Sequence, residues 1–438
     1  MGILENVNEY ILNIPIVGKI VTLIVIIFAV NELIDKYTMK KVNVLKSILG
    51  IIPKRIQKNK ANTIKKYYAT LESKEFIDWQ NIVLKKIYNE YPFTKAFETE
   101  YPVVCFKSAN KASYPFDDIY DQNELVTYVE DYKINSSIQK EYKYLVGDNI
   151  MRPTLKGFML DRIELDNNGD MLRFKAKTGT YEQNVYSSHI LEYELFQTYN
   201  KGLNNINQMS ADTLIGHMQL RKAIHHNLSQ KDVLTTGTTR SSLLGVQIFV
   251  VFRNHEDNQY KVLVIKRSVK VASKPGYYQF IPSGGFEIFE NSDDDEILRN
   301  NFSVRKVLFR ELIEEAFGEE EYEHNEKGVP VENILNHKSI KSLIKMINKE
   351  GDEKGVFFEF LGTVVDLVGL RNELSFILRI DDTSFSENTF KPNHESKDVQ
   401  IIGLDRLSKF IKSDKLNQGS AGLFHLVSDH YLYKEITD

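Results

Sequence analysis

The chain has 438 residues, 42% hydrophobic and 26% charged, with a formal net charge of −4. That is the composition of a folded protein too long for one ordinary core, so two or three domains are expected. The charge balance gives no global signature of nucleic-acid binding, and the single cysteine, Cys105, excludes a disulfide within the chain.

The run Ile11 to Val30 is almost wholly apolar. About 20 helical residues span a bilayer core of roughly 30 Å. Ten Lys or Arg and no Asp or Glu lie between Lys36 and Lys66. The sequence therefore predicts a transmembrane anchor over residues 1–35, with the C-terminal bulk cytoplasmic at a cell membrane. A signal peptide would want positive charge first and a small-residue cleavage site, and neither is evident. A buried helix of a soluble domain is the other reading. Residues 36–95 read as a basic helical juxtamembrane segment, lying on an anionic surface or forming a plain stalk. Phe76, Trp79, Val83 and Ile87 recur at helical spacing within it.

Residues 96–235 read as an α+β domain of unassigned role. Cys105, in the run PVVCF, reads as a small buried hydrophobe. MLDRIEL and MLRFKAK flank DNNGD, a hairpin signal. HILEYELFQTYN then reads as a helix ending near Gly202. Tyr181, Tyr186, Tyr193 and Tyr199 either line a cleft or pack a core. His225 and His226 are adjacent, so they point to different helix faces and do not form one metal site.

From residue 236 to 438 the pattern changes to strand, strand, helix, strands, helix. LLGVQIFVVF and YKVLVIKRS form a strand pair, with further strands near Tyr278, from Phe357 to Val365, from Leu374 to Ile380, and at VQIIGL. Between them lies PSGGFEIFE, a spacer, then RELIEEAFG. Glu311, Glu314 and Glu315 stand at i, i+3 and i+4, one face of a helix. Val304, Val307, Leu308 and Leu312 mark a neighbouring apolar stripe. Three carboxylates on one face repel unless a cation sits among them, and oxygen ligands suit Mg²⁺ or Mn²⁺.

These residues resemble the Nudix box, the signature of hydrolases that cleave nucleoside diphosphates linked to another group. The family pattern is Gly, five residues, Glu, seven residues, then Arg-Glu-apolar-x-Glu-Glu-x-Gly. Gly284 and Glu290 match its first half; Arg310, Glu311, Leu312, Glu314 and Glu315 match its second. Two departures stand out. Nineteen residues separate Glu290 from Arg310, and one extra residue precedes Gly318. The spacer NSDDDEILRNNFSVRKVLF starts polar, from Asn291 to Asn301, which predicts a surface loop, and its end already reads as helix.

The resemblance implies an α/β/α sandwich over residues 236–438. It implies metal ligation by Glu311, Glu314 and Glu315, one of them a possible base, with Glu287 and Glu290 completing the shell. Arg310 would orient a glutamate or make a surface pair with Glu314. Gly284 and Gly285 would let backbone approach metal or phosphate. Glu395 is either a base outside the box or a loop glutamate. Lys266 and Arg267 either touch a phosphate or are rim charges; Tyr277, Tyr278 and Phe280 either stack on a base or are buried.

The fold class expected is thus α/β: a single transmembrane helix, a middle α+β domain and a C-terminal Nudix-like sandwich. The leading functional expectation is a membrane-anchored, metal-dependent pyrophosphohydrolase with a nucleotide-derived substrate. A nucleotide sensor without turnover and a membrane scaffold are the alternatives. The substrate and the oligomeric state are not readable.

Overall fold

The computed structural model describes residues 60–109, 124–126, 136–147, 154–203, 205–267, 276–288, 294–317, 331–351, 355–383, 399–411 and 415–437. The chain forms two compact units, Met1–Glu72 and Ser73–Asp438. Within the first, residues 60–71 are helical. The second is a mixed α/β unit, and the site lies in it.

A short hairpin, β1 (Thr94–Ala96) and β2 (Thr99–Tyr101), stands beside the two larger sheets that organise that unit. The smaller has four strands: β4 (Glu124–Val126), β5 (Lys156–Leu165), β6 (Met171–Thr180) and β11 (Glu287–Ile288), in the order β11-β5-β6-β4. β5 and β6 are the expected hairpin, closed by a turn in which Gly169 takes φ 85°. The larger sheet has a main path β14-β8-β7-β13-β12-β3. Its strands are β3 (Val103–Lys107), β7 (Gly245–Arg253), β8 (Tyr260–Lys266), β12 (Val356–Asp366), β13 (Arg371–Ile380) and β14 (Val399–Gly403). β9 (Tyr278–Phe280) pairs with β8, and β10 (Ser283–Gly285) pairs with β7. β7 and β13 run parallel, whereas the other pairings in this sheet are antiparallel.

β7 reads VQIFVVF without alternation because it is covered on both faces; all of its residues from Gly245 to Phe252 are buried. Phe249 and Val251 join one core with Val264, Phe280, Val364 and Ile377. A C-terminal helix, Gln418–Ser428, closes that face with Ala421, Leu423, Leu426 and Val427. Its Gly422 has no room for a Cβ, which would stand 2.4 Å from Val364 Cγ1.

Among the described residues of this unit, three helices of ten residues or more precede β7. α1 (Lys74–Ile87) begins at Ser73, whose Oγ accepts from Phe76 N–H at 3.3 Å, and it buries Phe76, Trp79, Val83 and Ile87 as the spacing predicts. α2 (Ser137–Val146) opens on a reciprocal capping box between Ser136 and Gln139. α3 (Ile190–Asn200) ends at Lys201, with Gly202 beyond it at φ 67°, where glycine is favoured. His225 donates to or accepts from Tyr88 Oη at 3.2 Å, while His226 ends the same short helix, so the two histidines diverge as expected.

One expectation is corrected. No helix among the described residues is long and apolar enough to cross a membrane. The transmembrane helix and the single-pass membrane location are therefore withdrawn; the run Ile11 to Val30 that suggested them lies outside the described residues. Hydropathy and flanking charge measure a preference for lipid, not the geometry the chain adopts. The boundary expected near residue 236 falls inside the unit Ser73–Asp438. β3 comes from the preceding segment yet pairs with β12, and β11 comes from the following segment yet pairs with β5. Edge strands need partners, and here each segment completes a sheet of the other.

The spacer also differs from its expectation. Its polar beginning gives way to α4 (Asp295–Asn301), capped by Asp294, whose Oδ1 accepts from Glu296 N–H at 2.8 Å. Leu298 is buried, and Phe302 stacks on Phe286 with centroids 5.5 Å apart and lies edge-on to Phe158 at 5.0 Å. Ile297, Leu298 and Phe302 are the apolar residues that draw this segment onto the small sheet.

Candidate active site

The carboxylate helix starts at Ser303, whose Oγ accepts from Lys306 N–H at 3.3 Å. α5 (Val304–Glu311) buries Val304, Val307, Leu308 and Phe309. The next turn, Leu312–Ala316, widens to a π-turn, with Phe317 N–H donating to Leu312 O at 2.9 Å. A π-turn takes up one more residue than an α-turn. It absorbs the extra residue seen before Gly318, so the helix stays docked through Leu312, Ile313 and Ala316.

This helix is held against β10 by its charged face. Gly284 is pressed directly under Glu311: a Cβ there would stand 2.0 Å from the carboxylate carbon. The space above Gly284 thus belongs to a glutamate. Arg310 is buried and donates to Gly285 O at 3.1 Å and to Glu311 Oε1; its Nε lies 3.6 Å from Glu314 Oε2. It is an internal clamp rather than a surface partner. Burial would depress its pKa, but Glu311, Glu314 and Glu287 together outweigh that, and the net shift is upward. Glu315 accepts from Ser283 N–H at 2.7 Å. Burial, then the charge of Glu311, pushes its carboxyl well above the usual range, against the lowering by Ser283 and Arg267.

Of the residues singled out in the sequence, Gly284, Gly285, Glu287, Arg310, Glu311, Glu314 and Glu315 gather here. Glu287 sits 3.4 Å from where a Cβ on Gly285 would be. Glu290 and Glu395 lie outside the described residues. Lys266 is exposed, its Nζ 5.9 Å from the Tyr278 ring centroid. Arg267 is half-buried, donates to Gln279 Oε1, and is within electrostatic range of Glu315. Phe280 is wholly buried in the core. Cys105 packs near Gly422, and burial pushes its thiol up to about 12, which removes it as a nucleophile at neutral pH.

The structure adds Glu373, which the motif did not include. β10, β7 and β13 align so that Gly285 faces Gly245 and Gly245 faces Glu373. Glu373 Cγ would stand 2.9 Å from a Cβ on Gly245 and its Oε2 2.1 Å from one on Gly419. Burial raises its pKa, Arg371 lowers it, and Asp366 adds to the rise. The signal in the sequence was a carboxylate just ahead of the apolar run of a strand, RNELSFILRI.

Among the described residues no three His, Cys, Asp or Glu side chains converge as a cation site. The donor set is nevertheless all oxygen, and Glu311 and Glu315 stand as like charges in a partly dry setting, which a hard divalent cation would relieve.

No family model matches the chain, and no curated protein matches it. Among solved structures the chain is similar to a NUDIX hydrolase from Alicyclobacillus acidocaldarius, with a TM-score of 0.26 and 13% identity over 45% of this chain and 96% of that one.

Proposed function

We propose that the chain is a divalent-metal-dependent hydrolase of a pyrophosphate linkage in a nucleoside diphosphate derivative. The observation that supports this most is the docking of Glu311 and Glu315 at the glycine-rich strand end, Glu311 over Gly284 and Glu315 on Ser283 N–H. Mg²⁺ or Mn²⁺ would be held by Glu311, Glu314 and Glu315 with Glu287 and Glu290. When bound, such a cation supplies charge neutralisation and Lewis acidity at the phosphates. The chain's own part is preorganisation. Arg310 fixes Glu311 and Glu314 from one guanidinium, and the Ser283 amide fixes Glu315. Gly284 and Gly285 leave the rim without side chains of their own.

The test is turnover of a panel of nucleoside diphosphate derivatives by the full chain with Mg²⁺ or Mn²⁺. Glu315→Gln should lose about 10²- to 10³-fold in kcat, the usual cost of one electrostatic element at a reacting centre. Equal rates for parent and variant would remove Glu315 from the chemistry. A second reading, nucleotide binding without turnover, is favoured by one observation: Glu311 is tied to Arg310 rather than converging with two other carboxylates. Saturable nucleotide binding with no hydrolysis under either metal would select it.

A further inference from the structure

Arg371 opens β13, two residues before Glu373, and nothing in the carboxylate motif points to it. Its nearest charged partner is Glu373, and the two meet loosely, Nη2 to Oε1 at 3.8 Å. Among the described residues the Arg371 guanidinium makes no hydrogen bond. Its Nε is shut off from solvent without an acceptor, although the side chain as a whole remains 30% exposed. A buried donor without an acceptor costs about 1–3 kcal/mol, and the exposed part of the guanidinium is open to an acceptor from a ligand.

The backbone that carries Arg371 is held with unusual completeness. Arg221, itself fully buried, donates through Nη2 to Leu367 O at 3.1 Å and to Val368 O. Ser188 Oγ donates to Gly369 O at 2.7 Å, and Ser242 Oγ to Leu370 O at 3.0 Å. Asp366 accepts from Val368 N–H at 3.0 Å and Gly369 N–H at 3.3 Å. Leu370 is fixed at φ 53°, a left-handed value that a leucine adopts only when its surroundings impose it. Six side-chain bonds, four from three separate segments and two from Asp366, therefore fix the turn that delivers Arg371 beside the strand end where Gly245 faces Gly285 and Glu373. Tyr181, Arg267 and Glu373 lie within electrostatic range of it. The rim thus has an acidic side, from α5 and the loop of Glu287, and a basic side, from Arg371 and Arg267.

We propose that Arg371 is the anion anchor of this site, its planar guanidinium taking the phosphate oxygens of a pyrophosphate-bearing ligand whose cation lies on the carboxylate side. A fork of parallel N–H donors matches two non-bridging phosphate oxygens, which a lysine ammonium does not. The identity of the ligand rests on the hydrolase reading; the placement of the anchor does not.

The experiment uses the full chain, inorganic pyrophosphate as probe, and equilibrium binding in the presence of EDTA. Without a cation the carboxylates repel pyrophosphate, so the measurement reads the arginine side alone. Parent protein binds; Arg371→Gln weakens binding about ten- to a hundred-fold. Arg371→Lys recovers part of the loss through charge alone, and Glu311→Gln binds at least as tightly as the parent. Thermal unfolding of each variant within a few degrees of the parent separates lost binding from lost structure, and the lysine variant serves where the glutamine one unfolds. No saturable binding by the parent, or parent-like binding by Arg371→Gln, overturns the anchor. Arginine-dependent binding with no turnover of any nucleotide keeps the anchor and discards the hydrolase. Turnover with KM unchanged in Arg371→Gln does the reverse.

Discussion

Glu315 is a carboxylate whose ionised form its surroundings oppose, through burial first and the charge of Glu311 second. Its pKa in the folded chain lies above that in the unfolded chain. The stability tied to its proton is therefore full below the ordinary carboxylate value and lost as pH rises through the raised one. Glu315→Gln carries that proton-like neutrality at every pH. In the absence of divalent cations the variant should melt above the parent at neutral pH, and the gap should close as pH falls toward the ordinary carboxylate range. Added Mg²⁺ should raise the parent's midpoint at neutral pH and leave that of the variant nearly unchanged. Thermal scans at three or four pH values, with EDTA or Mg²⁺, read both effects; a variant that melts below the parent throughout would show that the ionised carboxylate is a stabilising group. The residues of this cluster were largely legible beforehand, because i, i+3, i+4 spacing on one helix is fixed by the backbone alone. Glu373 and Arg371 were not, because they reach the site through strand register, and register between β7 and β13 joins residues more than a hundred positions apart.

The insertion between Glu290 and Arg310 behaves as an element rather than as slack. α4 lays Leu298 into the core, and Phe302 packs on Phe286, Phe158 and Phe174. Phe286 is the residue between the motif's glycines and Glu287, so the insertion supports the loop it interrupts. Phe302→Ala should cost about 2–4 kcal/mol, below the full range for a wholly buried phenylalanine because Phe302 keeps some exposure. Chemical denaturation checks the figure, and shortening the insertion to the seven-residue family spacing should lower the unfolding midpoint too. A change under 0.5 kcal/mol on Phe302→Ala would return the segment to the status of a surface loop. In the sequence, charge density in NSDDDE spoke for a loop, and Ile297, Leu298 and Phe302 behind it are too few to mark a helix by spacing. The hairpin at Gly169 and the strands β7, β8, β12 and β13 were readable because turn chemistry and apolar runs are local signals. The π-turn at Leu312 was visible only as one residue too many; its physical form is a hydrogen-bond choice that no local propensity encodes.

At the scale of the molecule, the segments before and after residue 236 share both sheets. β12 finds its outer partner in β3, and the site loop finds its partner in β5, with Phe158 N–H donating to Phe286 O at 2.8 Å. A fragment of residues 236–438 would leave the β12 edge bare and strip Tyr181 and Ser188 from the site. It should unfold without a cooperative transition, whereas residues 73–438 should retain one; circular dichroism melts of the two fragments decide it. A sharp transition in the shorter fragment would restore two independent domains. That division looked natural in the sequence because composition changes at the polar run SQKDVLTTGTTRSS. Composition reports where chain is exposed, though, and not which strand completes which sheet. The pairing of β3 with β12, in which Cys105 faces Val364, also has a temporal side. On the ribosome β3 emerges long before its neighbour has been synthesised, and until then its apolar edge has no native partner. The large sheet can close only once β12 and β14 have been made, so its closure is expected to be late and slow, with a waiting period in which a holdase chaperone has something to hold.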